Sequence, residues 1–182
     1  MDLRSAVNLV ESAQKQEPIK MSPLPYKKSA LEPALSEQNV NVHYNILTKK
    51  YFTKYAETGD LFQKAGALLH NDYYWACMQP YDLKNKPSTE FMNKIEAAHG
   101  SLSKMQDAWL EAALKIQGNG WVFLMTDLQI QTVQNHVLKA GIILAYDQWE
   151  HSLTDYDFDR EKALKQWWNV VNWSHVEELS LS

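Results

Sequence analysis

Asp147 and His151 stand four residues apart in the stretch Ala145-Tyr-Asp-Gln-Trp-Glu-His151. A carboxylate and a neutral imidazole together suit a first-row transition metal. Trp149, between them, can supply a dry wall, and Glu150 can hydrogen-bond an imidazole. The spacing alone is weak, because an Asp and a His four apart are commonly ordinary surface residues. The apolar run Gly141-Ile-Ile-Leu-Ala145 just before it strengthens the case. A buried strand ending in Asp147 would put the carboxylate in the interior, where it needs a metal or a polar partner. Upstream, His43, Leu47 and Tyr51 fall at i, i+4 and i+8 and share one stripe of a helix. By itself that stripe reads as core packing with one satisfied histidine.

These residues must be carried by a chain of 182 residues with 45% hydrophobic and 22% charged residues, enough for a real core. Seven tryptophans favour a rigid, packed interior. The net charge of −4 argues against extensive direct binding to a phosphate backbone. A lone cysteine, Cys77, excludes an internal disulfide. No run approaches the ~18 apolar residues of a membrane span.

Along the chain, Leu3, Ala6, Val7 and Val10 form a short apolar helical face. Residues 1–22 lack the long apolar core of a signal peptide and read as a docked N-terminal extension. Pro23-Leu-Pro-Tyr26 is extended. Ser36 caps a long helix, Glu37 to about Tyr55, and a second runs from about Leu61 to Met78. Further helices are expected from Ser88 to about Ala98 and from Gly100-Ser101 to about Gln117. After the Gly118-Asn-Gly120 turn the period becomes strand-like. Strands fall at 121–125, 128–133 and 141–146. A helix from Arg160 to about Val171 and a short one capped by Ser174 close the chain. The fold class is α+β: an N-terminal α-hairpin (23–84), then an α/β domain (85–182) with a small three-stranded antiparallel sheet.

Four segments together resemble the iron/manganese superoxide dismutases. Leu24-Pro-Tyr-Lys-Lys-Ser-Ala-Leu-Glu-Pro33 is similar to the family's LPYxxxALEP opening, and Gly118-Asn-Gly-Trp121 to its GSGW turn. Asp147-Gln-Trp-Glu-His151 resembles its DxWEH signature, and Trp168-Asn-Val-Val-Asn-Trp173 its WNxxNW ending. The resemblance implies a mononuclear Fe or Mn held by three His and one Asp, cycling between M(III) and M(II) as superoxide is dismuted. His43, Asp147 and His151 match three of those ligands. Tyr51 falls where the family keeps a gateway Tyr, and His136 at an alternative position for its solvent-orienting residue. Glu150 and His151 match a pair that bridges the two subunits of the family's dimer.

The second helix departs from the pattern. The family's ligand His stands four residues before a Trp, and Trp75 minus four is Asn71. A gapless alignment puts Asn71 at the metal and His70 in the neighbouring direction, about 100° away. His70 would serve only through a local π-bulge or a one-residue slip. The gateway His is replaced by Leu47, its partner Tyr by Thr154, and the iron-type Gln by Ala67. The expectation is therefore a pseudoenzyme with a degenerate site, with no metal or weakly bound Fe/Mn. Its role would be an interaction subunit of a larger mitochondrial, matrix-side assembly such as a mitoribosome or respiratory complex. It would pair there with a superoxide dismutase-like chain, itself or a paralogue. The alternative is an active Fe/Mn superoxide dismutase.

Overall fold

A computed structural model describes residues 18–181. The apolar N-terminal face around Leu3 to Val10 lies outside them. Two long helices come first: α1 (residues 37–58) and α2 (residues 61–75), antiparallel across the Gly59-Asp60 turn. Ser36 Oγ caps α1 by accepting the Asn39 N–H, and Asp60 caps α2 by accepting those of Phe62 and Gln63. Gly59 stops α1 in the left-handed conformation (φ 70°), which costs glycine nothing.

Both helices widen into a π turn. In α1 it spans His43–Thr48, and in α2 Leu69–Trp75. A π turn frees backbone groups that must be satisfied locally. The Thr48 hydroxyl donates to the His43 carbonyl five residues back, at 2.9 Å. The same oxygen accepts Trp75 Nε1–H at 2.9 Å, so one buried hydroxyl ties the two widened turns together.

The C-terminal region holds α3 (Thr89–His99), α4 (Leu102–Lys115), strands β1 (Gly120–Met125), β2 (Ile130–Gln134) and β3 (Ile142–Asp147), then α5 (Arg160–Trp167) and α6 (Trp173–Leu179). The sheet is antiparallel in the order β2-β1-β3. β1 and β3 are buried throughout, which explains their continuous apolar runs, whereas β2 alternates at the edge. The register sets Trp121 opposite Asp147. Arg160 donates to the Ile116 and Gly118 carbonyls, closing the end of α4. A short antiparallel bridge, Met78 to Val171, ties the hairpin's end to the chain's last segment. Asn172, rather than Ser174, caps α6, because its side chain accepts the His175 N–H.

Candidate metal centre

Four buried or half-buried side chains converge between the hairpin and the sheet. Ligand atoms of His43, His70, Asp147 and His151 all lie within 4.8 Å of one another. His43 comes from the π turn of α1 and His70 from that of α2. Asp147 ends β3, and His151 sits in the 3-10 turn Glu150–Tyr156 that follows. Nε2 of His43, His70 and His151 stands 3.2, 3.2 and 3.1 Å from one oxygen, Asp147 Oδ2. The other oxygen, Oδ1, accepts the Trp149 N–H at 2.7 Å, which fixes the carboxylate's rotation. Asp147 is 0% exposed.

The His70 ring defines what belongs at the centre. Its Nδ1 lies 2.6 Å from the Gly66 carbonyl, which can only accept. Nδ1 therefore carries the proton, and in the neutral ring Nε2 presents a lone pair to Asp147 Oδ2. In that tautomer the Nε2 lone pair and Oδ2 are two acceptors that a metal cation between them would satisfy. His43 adds a second case. Its Nε2 is close to Oδ2 but off the direction of a hydrogen bond, so both its ring nitrogens are buried without a partner. Four donors about 2.1 Å from a common point lie about 3.0–3.6 Å apart for angles of 90–120°, matching the Nε2 to Oδ2 distances. Three imidazoles and one carboxylate around such a point fit a first-row transition metal.

Charge in the site follows burial. Burial pushes the His43 pKa down to about 3, against the pull of Asp147. For Asp147, burial alone would raise the pKa, but the surrounding imidazoles, His151 first, hold it well below the usual carboxylate range.

A ring of aromatic groups encloses the ligands. Tyr51 stacks on His70, centroids 5.2 Å apart and planes 21° apart. His136 lies flat against Trp149 at 4.5 Å and edge-on to Tyr51 at 4.6 Å. Trp121 Nε1–H donates to His136 Nδ1 at 3.0 Å. Since an indole N–H only donates, His136 holds its proton on Nε2. That buried N–H has no protein partner. Burial pushes the His136 pKa down to about 3, so the ring is neutral. Gly66 makes this packing possible. A Cβ there would come within 2.9 Å of both the His136 and Tyr51 rings.

Asn71 does not reach the centre. Its carboxamide accepts the Ser22 N–H at 2.7 Å and donates to Ser22 Oγ and Asp72 Oδ1, on the hairpin's outer side. The π turn supplies the one-residue slip that brings His70 inward instead. The same slip sets Gly66, not Ala67, against His136. The expectation of a degenerate site is thereby overturned, and with it the non-enzymatic subunit and the pseudoenzyme built on it. His70 is the ligand that sequence reasoning missed. Its one sequence sign is a histidine five, rather than four, residues before Trp75. Thr154, standing where the family has a Tyr, accepts at Oγ1 from Asn39 Nδ2 at 2.9 Å. Glu150 is exposed beside the half-exposed His151.

A helical hairpin set against a small antiparallel sheet, with a His3Asp cluster where they meet, defines a mononuclear metalloprotein class. Residues 87–179 match the model of the iron/manganese superoxide dismutases, C-terminal domain. The chain is 32% identical over 193 residues to a superoxide dismutase [Fe] of Saccharolobus solfataricus, covering 87% of this chain and 91% of that one. It is 30% identical over 189 residues to a superoxide dismutase [Fe] of Plasmodium falciparum, covering 88% and 95%. A superoxide dismutase [Fe] of Entamoeba histolytica is 30% identical over 183 residues, covering 85% and 95%. The chain belongs to the iron/manganese superoxide dismutase family, as a divergent member.

Proposed function

We propose that this protein is an active Fe or Mn superoxide dismutase, converting superoxide and protons to O2 and hydrogen peroxide. The observation that carries this is the convergence of His70 Nε2 with His43, Asp147 and His151 on one point. A metal held by these four supplies one-electron chemistry between its +2 and +3 states. The related chains named above are iron enzymes, which makes iron the first metal to load.

The chain's own residues supply the rest. The Gly66 carbonyl holds His70 in the tautomer that leaves Nε2 free, and the Trp149 N–H holds Asp147 in rotation. Peroxide formation needs protons delivered inside a dry aromatic cage. His136 offers an Nε2–H that no protein group uses. Tyr51 keeps its phenolic proton, since burial and then the Asp147 charge push its pKa up. Both therefore act as donors to oxygen in the site.

The same reading includes a dimer in which exposed Glu150 accepts from His151 of a second copy. Glu150→Ala then weakens self-association in sedimentation equilibrium, while an unchanged monomer–dimer balance removes this part. For the activity, the protein is loaded anaerobically with Fe(II), oxidised, and assayed for metal per chain and superoxide turnover. One iron per chain with turnover is expected, and His70→Ala loses both. Stoichiometric iron without turnover, or turnover unaffected by His70→Ala, overturns the proposal.

A further inference from the structure

We propose that Ser22 is a positioning residue for the metal: its peptide straps the two widened turns together from outside and holds α2 in the register that turns His70 inward. This rests on the dismutase reading for the metal that the four ligands take.

The end of α2 can be wound in two ways. In an unbroken α-helix the residue one turn before Trp75 on the ligand side is Asn71, and in the π turn Leu69–Trp75 it is His70. The π form is the rarer winding in helices generally, so this chain must favour it by some contact of its own. The side chain that points away from the centre makes that contact. Asn71 meets Ser22 in a two-way pair. The Ser22 N–H donates to Asn71 Oδ1 at 2.7 Å, and Asn71 Nδ2–H donates to Ser22 Oγ at 3.3 Å.

The same peptide reaches the other helix. The Ser22 carbonyl accepts the Tyr44 hydroxyl at 2.6 Å. Tyr44 directly follows His43, and Asn71 directly follows His70. One residue outside the hairpin thus grips the neighbour of each histidine ligand that the hairpin supplies. Further along the strand, the Tyr26 hydroxyl donates to the Trp75 carbonyl at 3.0 Å, where the π turn ends. Trp75 itself lies edge-on to the His43 ring at 4.8 Å. Pro23 and Pro25 keep the strand between these contacts out of any helix. Thr48 joins the two turns from inside, and Ser22 joins them from outside. Were α2 to take the α register, Asn71 would swing inward by about 100° and Ser22 would lose both of its bonds to it. Near the surface, that pair of neutral bonds biases the register about fivefold. His70 is therefore set inward before a metal arrives, which raises the share of chains competent to bind it.

The test reads iron loss rather than turnover. Iron-loaded protein is challenged with excess EDTA, and deuterium uptake over residues 69–75 is followed on metal-free protein. Ser22→Pro removes the N–H and the hydroxyl but keeps the carbonyl for Tyr44. It speeds both iron loss and deuterium uptake about fivefold. Asn71→Ala, which removes the same pair from the other side, does the same, and Ser22→Thr keeps the parent's rates. The control is the chain carrying His70→Asn with Asn71→His, whose histidine stands four residues before Trp75 and needs only an α turn. There Ser22→Pro leaves iron loss unchanged, while its effect on the urea midpoint is the same in both chains. A strap that only stabilised the fold would speed iron loss equally in the two. Equal acceleration in both chains, no acceleration in the parent with either Ser22→Pro or Asn71→Ala, or a parent or exchanged chain that takes no iron each overturns the proposal. Iron held in this Ser22-dependent way by a protein without superoxide turnover removes the dismutase reading and keeps the strap.

Discussion

The proton on His70 Nδ1 goes to the Gly66 carbonyl, and the proton on His136 goes to Nε2 because Trp121 occupies Nδ1. Two single hydrogen bonds thus set which ring atoms face the chemistry. Trp121→Phe removes the second. His136 is then free to put its proton on either nitrogen, and we expect superoxide turnover to fall about 10–100-fold with metal content retained. Metal analysis beside stopped-flow turnover checks this, and an unchanged rate contradicts it. Burial of neutral histidines also has a pH consequence. His43 and His136 titrate at about 3 when folded, against about 6.5 when unfolded. Between those values the unfolded chain binds protons that the folded chain refuses, so stability rises with pH. Asp147, held well below the usual carboxylate range, adds stability that is present above the unfolded carboxylate range and lost as the pH falls through its lowered value. For the metal-free protein, the urea midpoint at about pH 4.5 should lie clearly below that at about pH 7.5. Equal midpoints would mean that these rings are hydrated or protonated in the fold.

At the scale of the element, the widened turn of α2 is what makes the site. An α-helix advances about 100° per residue, so the extra residue before Trp75 would turn His70 away were it not absorbed. The π turn Leu69–Trp75 absorbs it and places Asn71 outside, against Ser22. Deleting Asn71 should therefore restore an ordinary α turn with His70 still inward and iron content unchanged. If Asn71 were the inward residue, the parent would hold little iron and the same deletion would raise its iron content by putting His70 four residues before the Trp. Thr48 holds the two widened turns together through the His43 carbonyl and Trp75 Nε1. Thr48→Val leaves both buried groups unpaired, with an expected loss of about 1–3 kcal/mol measured by denaturant unfolding. An unaltered midpoint would show that the turns do not depend on this hydroxyl. Periodicity made the helices and strands legible, since apolar residues repeat with the helix or strand period. The π turn was not legible that way. It breaks the period by one residue, and single-residue breaks carry no compositional mark. Only the match of Leu-His-Asn-Asp-Tyr-Tyr-Trp75 to a shorter pattern hinted at it.

In the molecule as a whole, the hairpin contributes two imidazoles and the sheet region one carboxylate and one imidazole. The centre is therefore assembled only when both halves dock. The bridge from Met78 to Val171 and the Asn85 bonds to the Trp168 and Val171 carbonyls hold the hairpin's end against the C-terminal segment. His43, Asp147 and His151 could be named from the sequence because each lies in an intact motif or stripe. Gly66 and the Trp121–His136 bond could not, since they matter only once distant segments meet. Metal binding selects the docked form, so iron should raise the unfolding temperature of both halves together. Two separate transitions in the loaded protein would contradict a shared centre. The most direct test is a crystal structure of iron-loaded protein, with the ion placed by its anomalous signal. The account predicts iron about 2.1 Å from His70 Nε2, with His43, Asp147 and His151 completing the set and Asn71 still bonded to Ser22. Iron held by Asn71 with His70 turned away, or no ion among these four residues, would contradict it.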